Sequence, residues 1–345
     1  MGAACADELS RAGLRVAIFE PGVVGGGATA AGMGHLAVMD DSDAQFALTS
    51  YSQRLWRSLA PELPQEAEYL PCGSLWIAAD GEEMREVRRK HDYYEARGIH
   101  TEILDGRQLA EAEPHLRPGM AGGLLMPADA VCYPPCVATW LVDRVVAAGG
   151  SLIRESLAVI EPGQPLVIAN GTAAADLIPG LPLAPRKGHL AITDRYPGFV
   201  RHQLIELGYL KSAHSVTSDS IAFNVQPRRT GQVLIGSSRQ YGVTDGAVET
   251  KMLGAMLRRA IEYMPGLGEL NVIRTWTGFR AATPDHLPLI GRAPGFENVW
   301  LATGHEGLGI STSLATARLI ADDILGRPSE IPREPYLPSR TFGAS

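Results

Sequence analysis

Residues Gly2-Ala-Ala-Cys-Ala-Asp-Glu-Leu-Ser-Arg-Ala-Gly-Leu-Arg-Val-Ala-Ile-Phe-Glu20 decide how this chain folds. Ala3, Ala6 and Leu9 recur at helical spacing among the polar Asp7, Glu8 and Arg11, and Gly13 closes the pattern. A short apolar run, Val16 to Phe19, then ends in an acid. Helix, glycine, strand and acid in this order make the back half of a βαβ unit. In the G-x-G-x-x-G fingerprint the third glycine lets helix and strand pack closely, and an acid about 20 residues on accepts from a ribose hydroxyl. Gly2 fits that glycine and Glu20 fits that acid. The strand before them and the two glycines that approach a pyrophosphate would precede Met1. The expectation is a dinucleotide-binding unit without its first strand, in a truncated version of a longer gene product.

Directly after Glu20 comes a run of tiny residues, Gly25-Gly-Gly-Ala-Thr-Ala-Ala-Gly-Met-Gly34. Such a run lets backbone N–H groups approach an anion or a flat ring. A flexible surface loop is the alternative, but a linker favours Ser and charged residues, whereas this run is rich in Ala and holds Thr29 and Met33.

The 345 residues suggest two domains with ample core. A net charge of −7 without a basic block argues against nucleic acid as a partner. Arg88-Arg89-Lys90 sits in a Glu-rich stretch that reads as a solvated amphipathic helix, Glu82 to Arg97, capped by Gly98. No apolar run is long enough for a transmembrane segment, and no secretory signal is visible. Four cysteines make no disulfide framework, and Cys132-x₃-Cys136 without nearby His or Cys is poor metal spacing, so no metal is expected. The expected location is cytoplasmic, with a peripheral position at the inner face of a membrane as a variant.

Further along, helices are expected over Ser42–Leu59, from Pro135 to Gly149, over Val248–Tyr263 and over Ser311–Leu325. Strands are expected at Leu70–Ala78, Gly122–Met126, Ser151–Arg154, Pro165–Gly171, His189–Thr193, Ile221–Val225, Val233–Gly236 and Trp300–Gly304.

Four blocks together resemble the FAD-dependent amine and amino-acid oxidoreductases of the D-amino-acid oxidase type, a family that includes glycine oxidase, sarcosine oxidase β-type subunits and D-hydroxyproline dehydrogenases. They are Gly2–Glu20 with the Gly25–Gly34 loop; Val167-Ile-Ala-Asn-Gly171; Arg274-Thr-Trp-Thr-Gly-Phe-Arg-Ala-Ala-Thr-Pro-Asp-His-Leu-Pro-Leu-Ile-Gly291; and Ala302-Thr-Gly-His-Glu-Gly-Leu-Gly-Ile310. The resemblance implies an α/β plus β architecture. A discontinuous Rossmann-like FAD-binding domain (1–45, 130–185 and 280–345) would join a mostly antiparallel-sheet substrate domain (46–129 and 186–279). It implies FAD as cofactor and oxidation of a small D-, achiral or cyclic secondary amino acid, such as D-proline, D-hydroxyproline, glycine or sarcosine, to its imine.

In that reading Arg280 matches the arginine that holds the substrate carboxylate, for which a forked, permanently charged guanidinium is suited. Gly2, Glu20, Thr29, Gly32, Met33, Gly304, Gly307, Gly309 and Ile310 match cofactor-binding positions. His305 reads as a packed spacer and Glu306 with it stays outside the catalytic set, Lys187, Gly188 and His189 read as structural, and Tyr209, Tyr241 and Trp276 are candidate pocket walls. The Gly-His-Glu-Gly-x-Gly-Ile ending looks more like the dehydrogenases, which implies a partner subunit or membrane carrier as electron acceptor rather than oxygen.

The chain departs from the family pattern in its short Gly150–Val167 segment, in Asn170 where alanine is common and in Ala174 where tryptophan is frequent. Two other readings stay open: a non-catalytic or flavin-deficient structural paralogue, supported by the absent strand and opposed by the Arg280 block, and an NAD-dependent dehydrogenase, compatible with Glu20 but silent on the C-terminal glycines.

Overall fold

The computed structural model describes residues 1–161, 163–208 and 219–342. In chain order the elements begin α1 (Gly2–Arg11), β1 (Ala17–Phe19), β2 (His35–Leu36), α2 (Asp43–Leu59), β3 (Ser74–Ala78), α3 (Gly81–Glu95), β4 (Glu102–Asp105) and α4 (Gly106–Ala112). There follow β5 (Gly122–Met126), β6 (Ala130–Val131), α5 (Pro134–Ala147), β7 (Ser151–Ile153), β8 (Leu166–Ile168), α6 (Ala174–Leu177), β9 (Ala184–Arg195) and β10 (Gln203–Glu206). The last are β11 (Ser220–Pro227), β12 (Gln232–Arg239), α7 (Thr250–Tyr263), β13 (Val272–Ala282), β14 (Leu289–Arg292), β15 (Val299–Thr303) and α8 (Ser313–Ile324). They form two compact units: Met1–Ala67, Tyr133–Arg186 and Phe279–Ser345 make the first, Glu68–Cys132 and Lys187–Gly278 the second.

The second unit is built on a mixed sheet of order β13-β9-β12-β11-β10-β3-β5-β4. β3 lies inside it, parallel to β10 with Leu75 opposite Leu204 and antiparallel to β5 with Trp76 opposite Leu124. All five β3 residues are buried. Helix α7 covers one face with Met256, Ala260 and Tyr263, whose ring stacks on Phe223 at 4.6 Å and 11°. Each large side chain sealed here stabilises the fold by about 1.5–3 kcal/mol. The buried Glu206 is satisfied by the Tyr263 hydroxyl, which donates to it at 3.0 Å, and by Arg259.

Helix α3 forms where a solvated charged helix is expected, but one face is sealed. Met84, Val87, Lys90 and Tyr94 are buried, and the Lys90 ammonium lies 4.9 Å from the Trp76 ring centroid. Its methylene stem is apolar and the aromatic face attracts the charge, so the lysine turns inward. Lys187 pairs with Asp245, while the buried His189 bonds Ser238 through Nδ1 and accepts the Glu249 N–H at Nε2.

In the first unit, β1 pairs in parallel with β7 (Ala17 opposite Ser151), and β15 pairs in parallel with β8 and antiparallel with β14. Among the described residues these parallel strands belong to two small sheets. Ile168, Ala174, Ile178, Leu289, Val299 and Leu301 form the core around β8 and β15. Helix α1 buries Ala4, Cys5, Ala6 and Leu9, and is tied to its neighbours by Arg144–Asp7 at 3.0 Å and Arg318–Glu8 at 2.8 Å. Helix α2 begins at Ser42, whose hydroxyl accepts the Gln45 N–H at 3.1 Å. It belongs to this unit, whose first segment runs to Ala67. The Ser52 hydroxyl accepts the Ala315 N–H, and the Tyr336 hydroxyl donates to the Ala44 carbonyl, which fastens α2 to the C-terminal part of the chain.

Candidate active site

The turn that joins β15 to α8 carries four of the expected cofactor positions, Gly304, Gly307, Gly309 and Ile310. Gly304 leaves the strand at φ +78°, and a Cβ there would lie 2.8 Å from the Thr283 Cγ2, so only glycine fits. Glu306–Leu308 form a single 3₁₀ turn, closed by the Leu308 N–H on the His305 carbonyl at 3.0 Å. Gly309 and Ile310 then lead into α8. His305 is buried, with Nε2 3.0 Å from the Thr316 hydroxyl, and burial pushes its pKa down to about 3. Burial therefore disfavours its charged form.

Arg280, half-buried near the end of β13, lies beside this turn. A Cβ on Gly307 would be 4.0 Å from the Arg280 Nε. Burial pulls its guanidinium below the ordinary value; the Glu306 carboxylate opposes that and Arg186 adds to it. An arginine remains charged at neutral pH in any case, so the turn faces a fixed cation. Arg186 pairs through Nη1 with one oxygen of Glu306, and His286 Nδ1 lies 3.0 Å from the other. Glu306 and His286 both adopt left-handed backbone, at φ +49° and +60°. The β13–β14 connection bearing His286 is pinned by Asp285, whose carboxylate takes Arg340 at 2.7 and 2.8 Å. Burial alone would raise Asp285, but Arg340 and the Leu287 N–H outweigh it and hold the carboxyl below its usual range.

The tiny-residue loop reaches the same turn. A Cβ on Gly32 would be 3.1 Å from Ile310 Cδ1, and the Ser311 hydroxyl donates to the His35 carbonyl at 2.8 Å. The indole of Trp56 donates to the Ile310 carbonyl at 3.2 Å. Gly32 and Ile310 are therefore adjacent, with Met33 next in the loop. Thr29 lies half-buried in the loop, its carbonyl accepting the Gly32 N–H. Gly2 opens α1 with its Cβ position 3.5 Å from the Ala169 side chain, and Glu20 closes β1 with Oε1 accepting the Gly22 N–H at 2.9 Å. Trp276 and Tyr241 lie in the second unit, and Tyr209 lies outside the described residues. Arg186, Glu306 and His286 meet beside this turn, and the sequence reading did not place them among the candidate residues. Their only local signal is an acid inside a glycine turn.

No His, Cys, Asp or Glu cluster among the described residues could hold a metal ion. Burial raises the thiols of Cys72 and Cys132 to about 12, which leaves them protonated. Among the described residues no helix is long and apolar enough to cross a membrane.

The sequence profile of the FAD dependent oxidoreductase family (DAO) matches residues 1–323. This chain belongs to that family. It is 26% identical to a glycine oxidase of Pseudomonas aeruginosa, over 98% of this chain and 96% of the relative. A D-amino acid dehydrogenase of Neisseria gonorrhoeae is also 26% identical, over 82% of this chain and 71% of its own length. The crystal structure of glycine oxidase from Geobacillus kaustophilus superposes with a TM-score of 0.87 at 25% identity, covering 99% of this chain and 96% of the other. The family is one of FAD-dependent amino-acid oxidoreductases, and this chain is an enzyme of that class. The residues present are compatible with such a cofactor: a Cβ at Gly304 would clash with Thr283, one at Gly32 would crowd the Ile310 side chain, and Glu20 stands at the carboxyl end of a parallel strand.

Proposed function

We propose that this chain oxidises a small D-, achiral or cyclic secondary amino acid (D-proline, D-hydroxyproline, glycine or sarcosine) to its imine, with Arg280 holding the carboxylate. The position of Arg280 beside Gly307 carries this reading. The first-unit segments would then be a discontinuous Rossmann-like FAD-binding domain, and the sheet unit the substrate domain. Gly2, Glu20, Thr29, Gly32 and Met33 would hold FAD from one side of the chain, and Gly304, Gly307, Gly309 and Ile310 from the other. Bound FAD supplies the acceptor for the hydride that leaves the substrate Cα. Arg280 does the rest by orientation: two parallel N–H···O bonds fix the carboxylate and thereby the direction of the Cα–H bond. An amine that enters neutral needs no side-chain base.

A partner subunit or carrier as electron acceptor fits the likeness to the D-amino acid dehydrogenase. The reading as a non-catalytic paralogue is not favoured, because a scaffold has no use for a cation against a glycine turn. The test takes whichever of D-proline, D-hydroxyproline, glycine and sarcosine the FAD-loaded protein oxidises fastest and compares it with its carboxamide. Loss of the carboxylate should lower kcat/KM by about 100-fold or more. Equal rates for acid and amide would end the proposal.

A further inference from the structure

Gly22, in the turn after β1, is held through both of its backbone groups. Its N–H donates to Glu20 Oε1 at 2.9 Å, and its carbonyl accepts from the Arg154 guanidinium through Nη1. The two side chains that hold it come from adjacent places in the first unit. Phe19 pairs with Ile153 in the parallel β1–β7 ladder, and the Glu20 N–H continues that ladder onto the Ile153 carbonyl at 3.0 Å. Glu20 and Arg154 are thus the first residues beyond the carboxyl ends of two neighbouring parallel strands, where α/β sheets take their ligands.

This end of the strands is open. Phe19 is 42% exposed, Val23 is 77% exposed, and Arg154 is exposed as well. A long carboxylate side chain in such a place samples several rotamers, and fixing one costs side-chain entropy. The Gly22 N–H fixes the Glu20 carboxylate, and the Arg154 bond to the Gly22 carbonyl fixes the turn that presents that N–H. A carboxylate has room for about four hydrogen bonds, so the one from Gly22 leaves Glu20 able to accept others.

We propose that Arg154 is a positioning residue for the cofactor: by holding the Gly22 carbonyl it sets the turn whose N–H orients Glu20 toward the ribose of FAD. The inference rests on the reading of Glu20 as the ribose acceptor. Arg154 acts through the Gly22 backbone and takes no part in the chemistry at the flavin.

The test measures dissociation constants of FAD, and of FMN, which lacks the adenosine half, by fluorescence titration of the full chain freed of flavin. Wild type, Arg154→Met, Glu20→Ala and the double variant Arg154→Met/Glu20→Ala are compared. Arg154→Met should weaken FAD about fivefold to tenfold and leave FMN within about twofold of wild type. Glu20→Ala should weaken FAD about tenfold or more. Adding Arg154→Met to Glu20→Ala should change FAD affinity by less than about twofold, because the group that Arg154 positions is then gone. An unchanged FAD affinity in Arg154→Met, or an equal loss of FAD and FMN, would overturn the proposal. So would a full Arg154 effect in the Glu20→Ala background, which would mean that the guanidinium meets the cofactor directly. The reading of Glu20 fails separately if Glu20→Ala binds FAD as wild type does, or if wild type binds FAD no more tightly than FMN.

Discussion

Leu75-Trp-Ile77 in β3 and Ala17-Ile-Phe19 in β1 are both apolar triplets in short strands, and their surroundings treat them oppositely. The first is sealed completely, whereas Phe19 is 42% exposed and Ala17 open to solvent. β3 has ladder partners on both edges and helices over its faces. β1 has one ladder partner among the described residues, the equally short β7. Burial belongs to the assembly around a strand and not to its composition. The comparison also separates two tasks. The sealed sheet contributes to the core of the second unit, and the open strand leads into Glu20, the residue proposed to hold FAD.

Three substitutions would break or sharpen that contrast, ordered by effect. Phe223→Ala, which removes the ring stacked on Tyr263, should cost about 3–5 kcal/mol in urea unfolding. A loss under about 1 kcal/mol would show that the sheet core is loosely packed. Gly304→Ala places a Cβ against Thr283 at a positive φ, and about 2–4 kcal/mol of destabilisation is expected. Weakened FAD binding should accompany it, read by fluorescence titration, and a variant indistinguishable from wild type would contradict the turn geometry. Phe19→Ala should lower stability by less than about 1 kcal/mol in the absence of ligand, since much of the ring is already in water. A cost comparable with Phe223→Ala would mean that β1 is covered in solution.

Much of the first unit was legible in the sequence because its signals are local. The α1 periodicity, the Gly13 stop, the proline at the start of α5 and the strand running into Gly304 all sit within short windows. Other features were not legible. Lys90 reads as solvated until Trp76, from a strand earlier in the chain, is placed under it. The Arg186–Glu306 pair joins residues 120 positions apart, and the left-handed backbone of Glu306 and His286 leaves no mark on residue type. Helix α2 offered no sequence cue to its partner, because Ser52, Trp56 and Ala44 bond groups far along the chain. The short β4, α4 and β10 lacked enough periodic residues to register.

The most direct test of the account is anaerobic flavin bleaching of the FAD-loaded protein with D-proline, D-hydroxyproline, glycine and sarcosine, in wild type and Arg280→Met side by side. The account predicts that at least one of these substrates bleaches the wild-type flavin, and that Arg280→Met, with FAD still bound, does so about 100-fold more slowly or worse. A variant that bleaches at the wild-type rate would contradict the assignment of Arg280, and with it the proposed chemistry of the site.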